Sequence, residues 1–206
     1  MYTKSHTTPT TSTGYSETQC TKEIPIILED PRVHFLLYAI RKRSQKTLVK
    51  GITCRSCVDT VQSGRFGYYD PQNKRYLHLK IVGNVSLFNK EEVRSELNPL
   101  INRIVICCEA IHSQKDLEET VIHELVHAYD AGRKGNFTTP CHNVACSEIR
   151  ASALGQCANV WPLFRKRECT RREAINSTLS HCKNAEQVVN EVFDKCFKDT
   201  SPFPPS

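Results

Sequence analysis

The stretch VIHELVHAYD, residues 121–130, sets two histidines four positions apart with a glutamate directly after the first. On a helix, His123 and His127 project from one face about one turn apart, so a single zinc ion can meet both imidazoles. Glu124 stands one position on, rotated by about 100° around the helix axis. From there its carboxylate reaches a water on the metal without being a ligand. Zinc lowers the pKa of such a water to about 7, and Glu124 can take its proton and later pass it to a leaving amine. That is the chemistry of peptide-bond hydrolysis. Chance alone can produce such a pentapeptide, so its surroundings matter. Here it falls inside a strongly amphipathic segment and is flanked by small and apolar residues rather than by further charges.

A catalytic zinc needs a third protein ligand and an open fourth position. The candidates downstream are Glu148, His142 and Asp130. Glu148 follows a glycine-containing loop and lies on a second expected helix, the arrangement of the glutamate-zincin class. It is the favoured ligand, with His142 in the preceding loop as the alternative. Asp130, one turn after His127, is better placed to orient a histidine than to ligate. Tyr129 and His142 are the candidates for steadying an oxyanion.

Several elements must hold these residues. Asp30 as N-cap and Pro31 at the first helical position predict a helix over 31–43. The closing run RKRSQK suits a solvated helix end with favourable cations, although a nuclear signal or a lipid-facing patch has the same composition. RFGYYD and RYLHLKIV flank the turn signal DPQNK and predict a β-hairpin. RIVICCEA (103–110) reads as a strand, and NKEEVRSELNPL as a helical excursion before it. From Ser113 the pattern turns helical: SQKD resembles a capping box, Leu117, Val121, Ile122, Leu125 and Val126 form a stripe, and Gly132 and Gly135 stop it. A helix over 143–155 and two more at RREAINSTLS and AEQVVNEVFDKCF complete an α+β chain, a small sheet followed by a helical half.

The 206 residues suit one well-cored domain. No apolar run approaches the ~18 residues of a membrane span. A formal charge of +6 favours anionic partners without naming one. Three N-x-S/T sequons, at Asn84, Asn136 and Asn176, are read as incidental. The Ser/Thr-rich start, residues 1–23, reads as a disordered tail with neither a secretory h-region nor a transit-peptide composition. The 11 cysteines are more informative. Cys146, Cys157, Cys169, Cys182 and Cys196 recur at intervals of 11 to 14, which suits disulfides between neighbouring helices better than zinc. Only Cys54 and Cys57 have the paired spacing of a structural zinc site, and for them both readings stand. The odd total leaves at least one thiol without an intrachain partner.

HELVHAYD, ACSEIRASALGQC, CTRREA and VNEVFDKCFKDTSPF, in that order, resemble the blocks of the mitochondrial ATP-synthase assembly protease family, and CRSC and IVIC match upstream. Some animal members of that family also carry a Ku-binding name. The resemblance implies a minimal, glutamate-zincin-like metallopeptidase with a disulfide-stapled helical C-terminal half. It implies one catalytic Zn²⁺ with His123 and His127 matching the metal ligands and Glu124 the catalytic glutamate, while Glu148, the favoured third ligand, falls on the glutamate of the ACSE block. It also implies the intermembrane space, reached by oxidative folding, with peripheral attachment to the inner membrane. The expected partners are the ATP synthase subunit a precursor and membrane-sector assembly intermediates, with no nucleic acid. Oxidised cysteines without a secretory signal fit that compartment.

The chain departs from the family pattern in three places. Asn143 stands where the family carries a histidine, with His142 one step earlier. Residues 72–102 look inserted into a single domain spanning 24–206. Cys108 and Cys141 are additional: they either pair with each other beside the active site or leave one unpaired thiol. Two further functions are compatible with the sequence, a non-catalytic assembly chaperone on the same fold and a nuclear zincin acting in DNA repair. The latter would need eleven cysteines kept free or metal-bound, and the basic run FRKRECTRRE has only Phe164 and Trp161 as aromatics nearby.

Overall fold

The computed structural model describes residues 14–43, 48, 51–57, 66–70, 103–133, 137 and 139–204. The return strand RYLHLKIV, the NKEEVRSELNPL excursion, the 72–102 segment and the sequons at Asn84 and Asn136 lie outside these residues.

The first helix, α1 (Glu17–Leu28), starts inside the stretch read as a tail. Ser16 caps it by accepting from the Gln19 backbone N–H at 3.1 Å, and Cys20, Ile24 and Ile27 are buried. The first turns carry no apolar stripe because Cys20 is the residue that packs there, tied to Cys54 by a disulfide. A cysteine in a Ser/Thr-rich segment does not register as a hydrophobic period, so composition hides a helix that starts at Glu17.

The next helix, α2 (Pro31–Arg43), has the expected bounds. Asp30 Oδ1 accepts from the Arg32 and Val33 N–H groups at 2.8 and 3.1 Å, satisfying donors that a helix start otherwise leaves orphaned. Val33, Leu36 and Ile40 are its buried face.

Among the described residues three strands follow: β1 (Ile52–Arg55), β2 (Phe66–Asp70) and β3 (Arg103–Cys107). The order is β1-β3-β2, with β3 central, parallel to β1 and antiparallel to β2. A central strand is covered on both faces, and Ile104, Val105, Ile106 and Cys107 are all buried. The strand ends at Cys107, short of the expected 110, because a single 3₁₀ turn over Cys108–Ala110 redirects the chain toward the next helix.

That helix is α3 (Gln114–Ala131), and it carries the HELVH pentapeptide. The Ser113 hydroxyl accepts from the Asp116 N–H at 3.0 Å, and Asp116 Oδ2 accepts from the His112 N–H at 3.3 Å. The cap is therefore reciprocal, displaced by one residue from the standard box. The expected stripe is buried, and Thr120, Ala128 and Tyr129 are buried beside it, so α3 is a central rather than a surface helix.

The C-terminal half comprises α4 (Pro140–Leu154), α5 (Leu163–Leu179) and α6 (Ala185–Lys198). Two apolar clusters divide the described residues. One joins α1, α2, the sheet and α3; the other sits among α4, α5 and α6 around Ile149, Val189 and Phe193. Helix α4 bridges them, contributing Ala151 to the first and Ala145, Cys146 and Ile149 to the second.

Ten of the eleven cysteines pair. Cys20–Cys54 ties α1 to β1, and Cys57–Cys107 closes the loop after β1 onto β3. Cys141–Cys182 and Cys146–Cys196 fasten α4 to the turn before α6 and to α6 itself. Cys157–Cys169 holds the loop after α4 to α5. The loops closed span 12 to 50 residues, the size range in which a disulfide contributes about 2 to 4 kcal/mol by restricting the unfolded chain. Both residues of CRSC are thus disulfide-bonded, which rules out the zinc reading for Cys54 and Cys57. Cys108 and Cys141 do not pair with each other. Cys108 is the free, buried thiol, and burial, then the Glu109 and Glu17 carboxylates, push its pKa up to about 11.

The described fold is mostly helical around a small sheet, with α3 wedged between the sheet side and the α4–α6 bundle.

Candidate metal centre

His123 and His127 rise from the middle of α3, and Glu148 faces them from α4. Their ligand-type atoms lie within 4.8 Å of one another. The two Nε2 atoms are 3.0 Å apart, and each is 3.6 Å from a Glu148 oxygen. His127 and Glu148 are buried, and His123 is nearly so.

The close crossing of α3 and α4 depends on Gly155, where α4 ends. A Cβ there would stand 2.8 Å from the Ala151 carbonyl oxygen, 2.9 Å from the Glu119 carbonyl oxygen and 3.2 Å from His123 Cβ. Only glycine lets the backbone pass so close to the histidine's own turn.

Both imidazoles are oriented through their other nitrogen. His123 Nδ1 lies 2.9 Å from Gln156 Oε1, an acceptor, so Nδ1 carries the proton. His127 Nδ1 lies 2.8 Å from Ser147 Oγ. The Ser147 hydroxyl in turn donates to Asp130 Oδ2 at 3.2 Å, so it accepts from His127. In both rings the Nε2 lone pair is therefore turned toward the other ring and toward Glu148.

Two lone pairs 3.0 Å apart beside a carboxylate repel unless a cation or a proton lies among them. Glu148 Oε2 is also a buried oxygen with no hydrogen-bond partner. The donor set, two imidazoles and a carboxylate held apart by nothing of their own, fits a divalent zinc-type ion. The charge state of the bare protein reflects the same demand. Burial alone would lower the proton affinity of His127, but the Glu148 carboxylate outweighs it and raises its pKa. Burial alone would raise the pKa of Glu148, but His127 and then His123 hold it well below the usual carboxylate range.

Asp130 does more than support His127. It takes Arg150 Nε at 3.0 Å and Arg133 at 3.3 Å, in addition to Ser147. Arg150 is 1% exposed and pairs also with Asp199 at 2.6 Å. It donates to the Asp199 and Ser201 carbonyls as well, so the C-terminal segment is latched to the floor of the site. Asp130 thus orients His127 through Ser147 rather than by direct contact.

Of the expected residues, His123, His127 and Glu148 converge, and Glu124 is buried on the same helix. His142 does not join them. It sits on the first turn of α4, with Nε2 2.7 Å from Glu191 Oε2 of α6 and Nδ1 at Thr139. The helix starts at Pro140, three residues before the expected 143, and that carries His142 away from α3. The Tyr129 ring lies against the guanidinium groups of Arg43 and Arg133. Ser147, Gln156 and Arg150 escaped the sequence reading. Ser147 precedes Glu148 directly, and Gln156 follows Gly155, but only the α3–α4 crossing reveals which nitrogen each one meets.

A model of the peptidase M76 family matches residues 18–204. The chain belongs to the peptidase M76 family. Relatives include proteins named mitochondrial inner membrane protease atp23 from Emericella nidulans and Neosartorya fischeri, 43% and 44% identical over 116 residues. These alignments cover 48% of this chain and 48% and 49% of the relatives. A protein of the same name from Yarrowia lipolytica is 41% identical over 116 residues, covering 48% of this chain and 46% of its own length. The chain spans about half the length of the curated relatives it matches. No solved structure matches. The M76 match runs from α1 through the whole C-terminal half, so it includes the three converging residues and the latch beneath them.

Proposed function

We propose that this M76 chain is a zinc metalloendopeptidase of the mitochondrial intermembrane space, of glutamate-zincin type, folded as one domain from α1 onward. The observation that carries the reading is the convergence of two Nε2 lone pairs and the unpartnered Glu148 oxygen on one point. His123, His127 and Glu148 would hold the ion, leaving the fourth position for water or substrate. When bound, zinc supplies Lewis acidity toward the scissile carbonyl and makes the attacking water acidic near neutral pH. Glu124 accepts the proton of that water at its carboxylate and returns it to the departing amine nitrogen. Gln156 and Ser147 hold each imidazole in the tautomer that keeps Nε2 free. Asp130 and Arg150 fix Ser147.

The substrate that the block resemblance suggests is the precursor of ATP synthase subunit a, with assistance to membrane-sector assembly, and the relatives' name, mitochondrial inner membrane protease, agrees with action at that membrane. Five disulfides support an oxidising compartment over the nucleus, where such bonds are seldom kept. They argue in the same way against a DNA-repair zincin. The chaperone reading differs only at Glu124. Glu124→Gln is expected to keep bound zinc and fold while abolishing cleavage of the precursor. Undiminished cleavage in that variant would sink the assigned role of Glu124, and assembly support that persists in it without cleavage would favour the chaperone.

A further inference from the structure

Trp161, Leu163 and Phe164 are 83%, 58% and 65% exposed, and they stand together where the loop after α4 enters α5. Apolar side chains that project this far from a folded surface mark a place where something apolar is met. The residues that follow are Arg165, Lys166 and Arg167. Arg167 is committed to Asp194 of α6, whereas Arg165 and Lys166 have no carboxylate partner among the described residues. The Arg165 guanidinium lies 5.9 Å from the Phe164 ring centroid, so charge and apolar surface are interleaved. Arg32 of α2 adds a third cation near Lys166. Burial, and after it the Arg32 charge, lower the proton affinity of that half-buried lysine.

We propose that the tip formed by Trp161, Leu163 and Phe164, with Arg165, Lys166 and Arg32 around it, is a docking site for an anionic lipid surface. Charge complementarity selects that occupant. Tryptophan is favoured at the headgroup level, leucine and phenylalanine reach the acyl boundary, and cations beside them meet lipid phosphates. Among the described residues no helix is long and apolar enough to cross a membrane, so contact from one side is the mode these residues can supply. The tip is also mechanically joined to the metal centre. Gln156, which holds His123, lies five residues before Trp161, and Cys157–Cys169 pins the intervening loop to α5. Docking through this tip would hold the metal centre near the bilayer surface, where a peptidase could meet membrane-embedded substrates. In that respect the inference rests on the function proposed above.

Trp161 is the single tryptophan of the chain, so its emission reports this site alone. The probe is vesicles of phosphatidylcholine, with or without about one-third phosphatidylglycerol. The full chain should sediment with the anionic vesicles and its emission should shift to the blue, with both effects weakened by salt. Leu163→Ser combined with Phe164→Ser should reduce partitioning roughly tenfold or more. Arg165→Glu with Lys166→Glu should do the same while leaving the apolar tip intact. Both variants should keep cleaving a short soluble peptide at the wild-type rate. Sedimentation without a Trp161 shift, or binding unchanged in both variants, would overturn the proposal. So would a blue shift that grows with protein concentration in the absence of lipid, because it would assign the tip to a second copy. Vesicle binding by a chain that cleaves nothing would instead fault the peptidase reading and leave the docking site standing.

Discussion

At the residue scale the site is defined by which nitrogen points where. His123 and His127 share a helix face through their four-residue spacing, and the sequence alone predicts that much. It does not predict that Gln156 and Ser147 decide the tautomers, because those contacts arise between helices. Removing either partner should loosen a ring without deleting a ligand. Ser147→Ala and Gln156→Leu are each expected to weaken zinc binding about 10- to 100-fold, the usual cost of losing a group that orients a metal-binding histidine. Competition against a chelator dye would measure it. His142 gives the converse lesson. It has the right residue type in the right stretch of sequence, but its place on the first turn of α4 commits it to Glu191, so His142→Ala should leave zinc affinity unchanged.

At the element scale, α3 and α4 were readable from capping and period, and their crossing was not. Ser113 and the stripe from Leu117 to Val126 mark α3 in sequence. The start of α4 was displaced because Thr139 caps it and Pro140 occupies its first turn, ahead of the apolar positions that sequence periodicity detects. Helix α1 was missed for a related reason, since a buried cysteine carries its packing. The crossing itself turns on Gly155, whose missing Cβ leaves room for the Glu119 carbonyl and the His123 side chain. Gly155→Ala should therefore force α3 and α4 apart, destabilising the fold by about 1 to 3 kcal/mol as overpacking does. It should weaken zinc binding as well. Denaturant unfolding and metal titration of the same variant would check both halves.

At the scale of the whole molecule, the C-terminal segment is held to the site by Arg150, which joins Asp130 and Asp199. Burial alone would raise the pKa of Asp199, but Arg150, Ser201 and Arg133 lower it below the ordinary value. A carboxylate with a lowered folded pKa contributes stability above its unfolded pKa and loses it as pH falls through the folded one. Asp199→Asn should accordingly cost about 1 to 3 kcal/mol at neutral pH, and the gap to wild type should begin to narrow near about pH 4 and close only as the pH falls through the lowered folded pKa. Thermal melts across that range would test it. The cysteine count announced oxidation in the sequence, and the pairing that fastens α4 to α6 emerged only from the packing of those helices. The claim on which the functional account depends is the metal itself. Elemental analysis of oxidised, purified protein should find one zinc per chain, absent from His127→Ala and retained in Glu124→Gln. No zinc in the wild-type chain after equilibration with micromolar free metal, or zinc undiminished in His127→Ala, would contradict it.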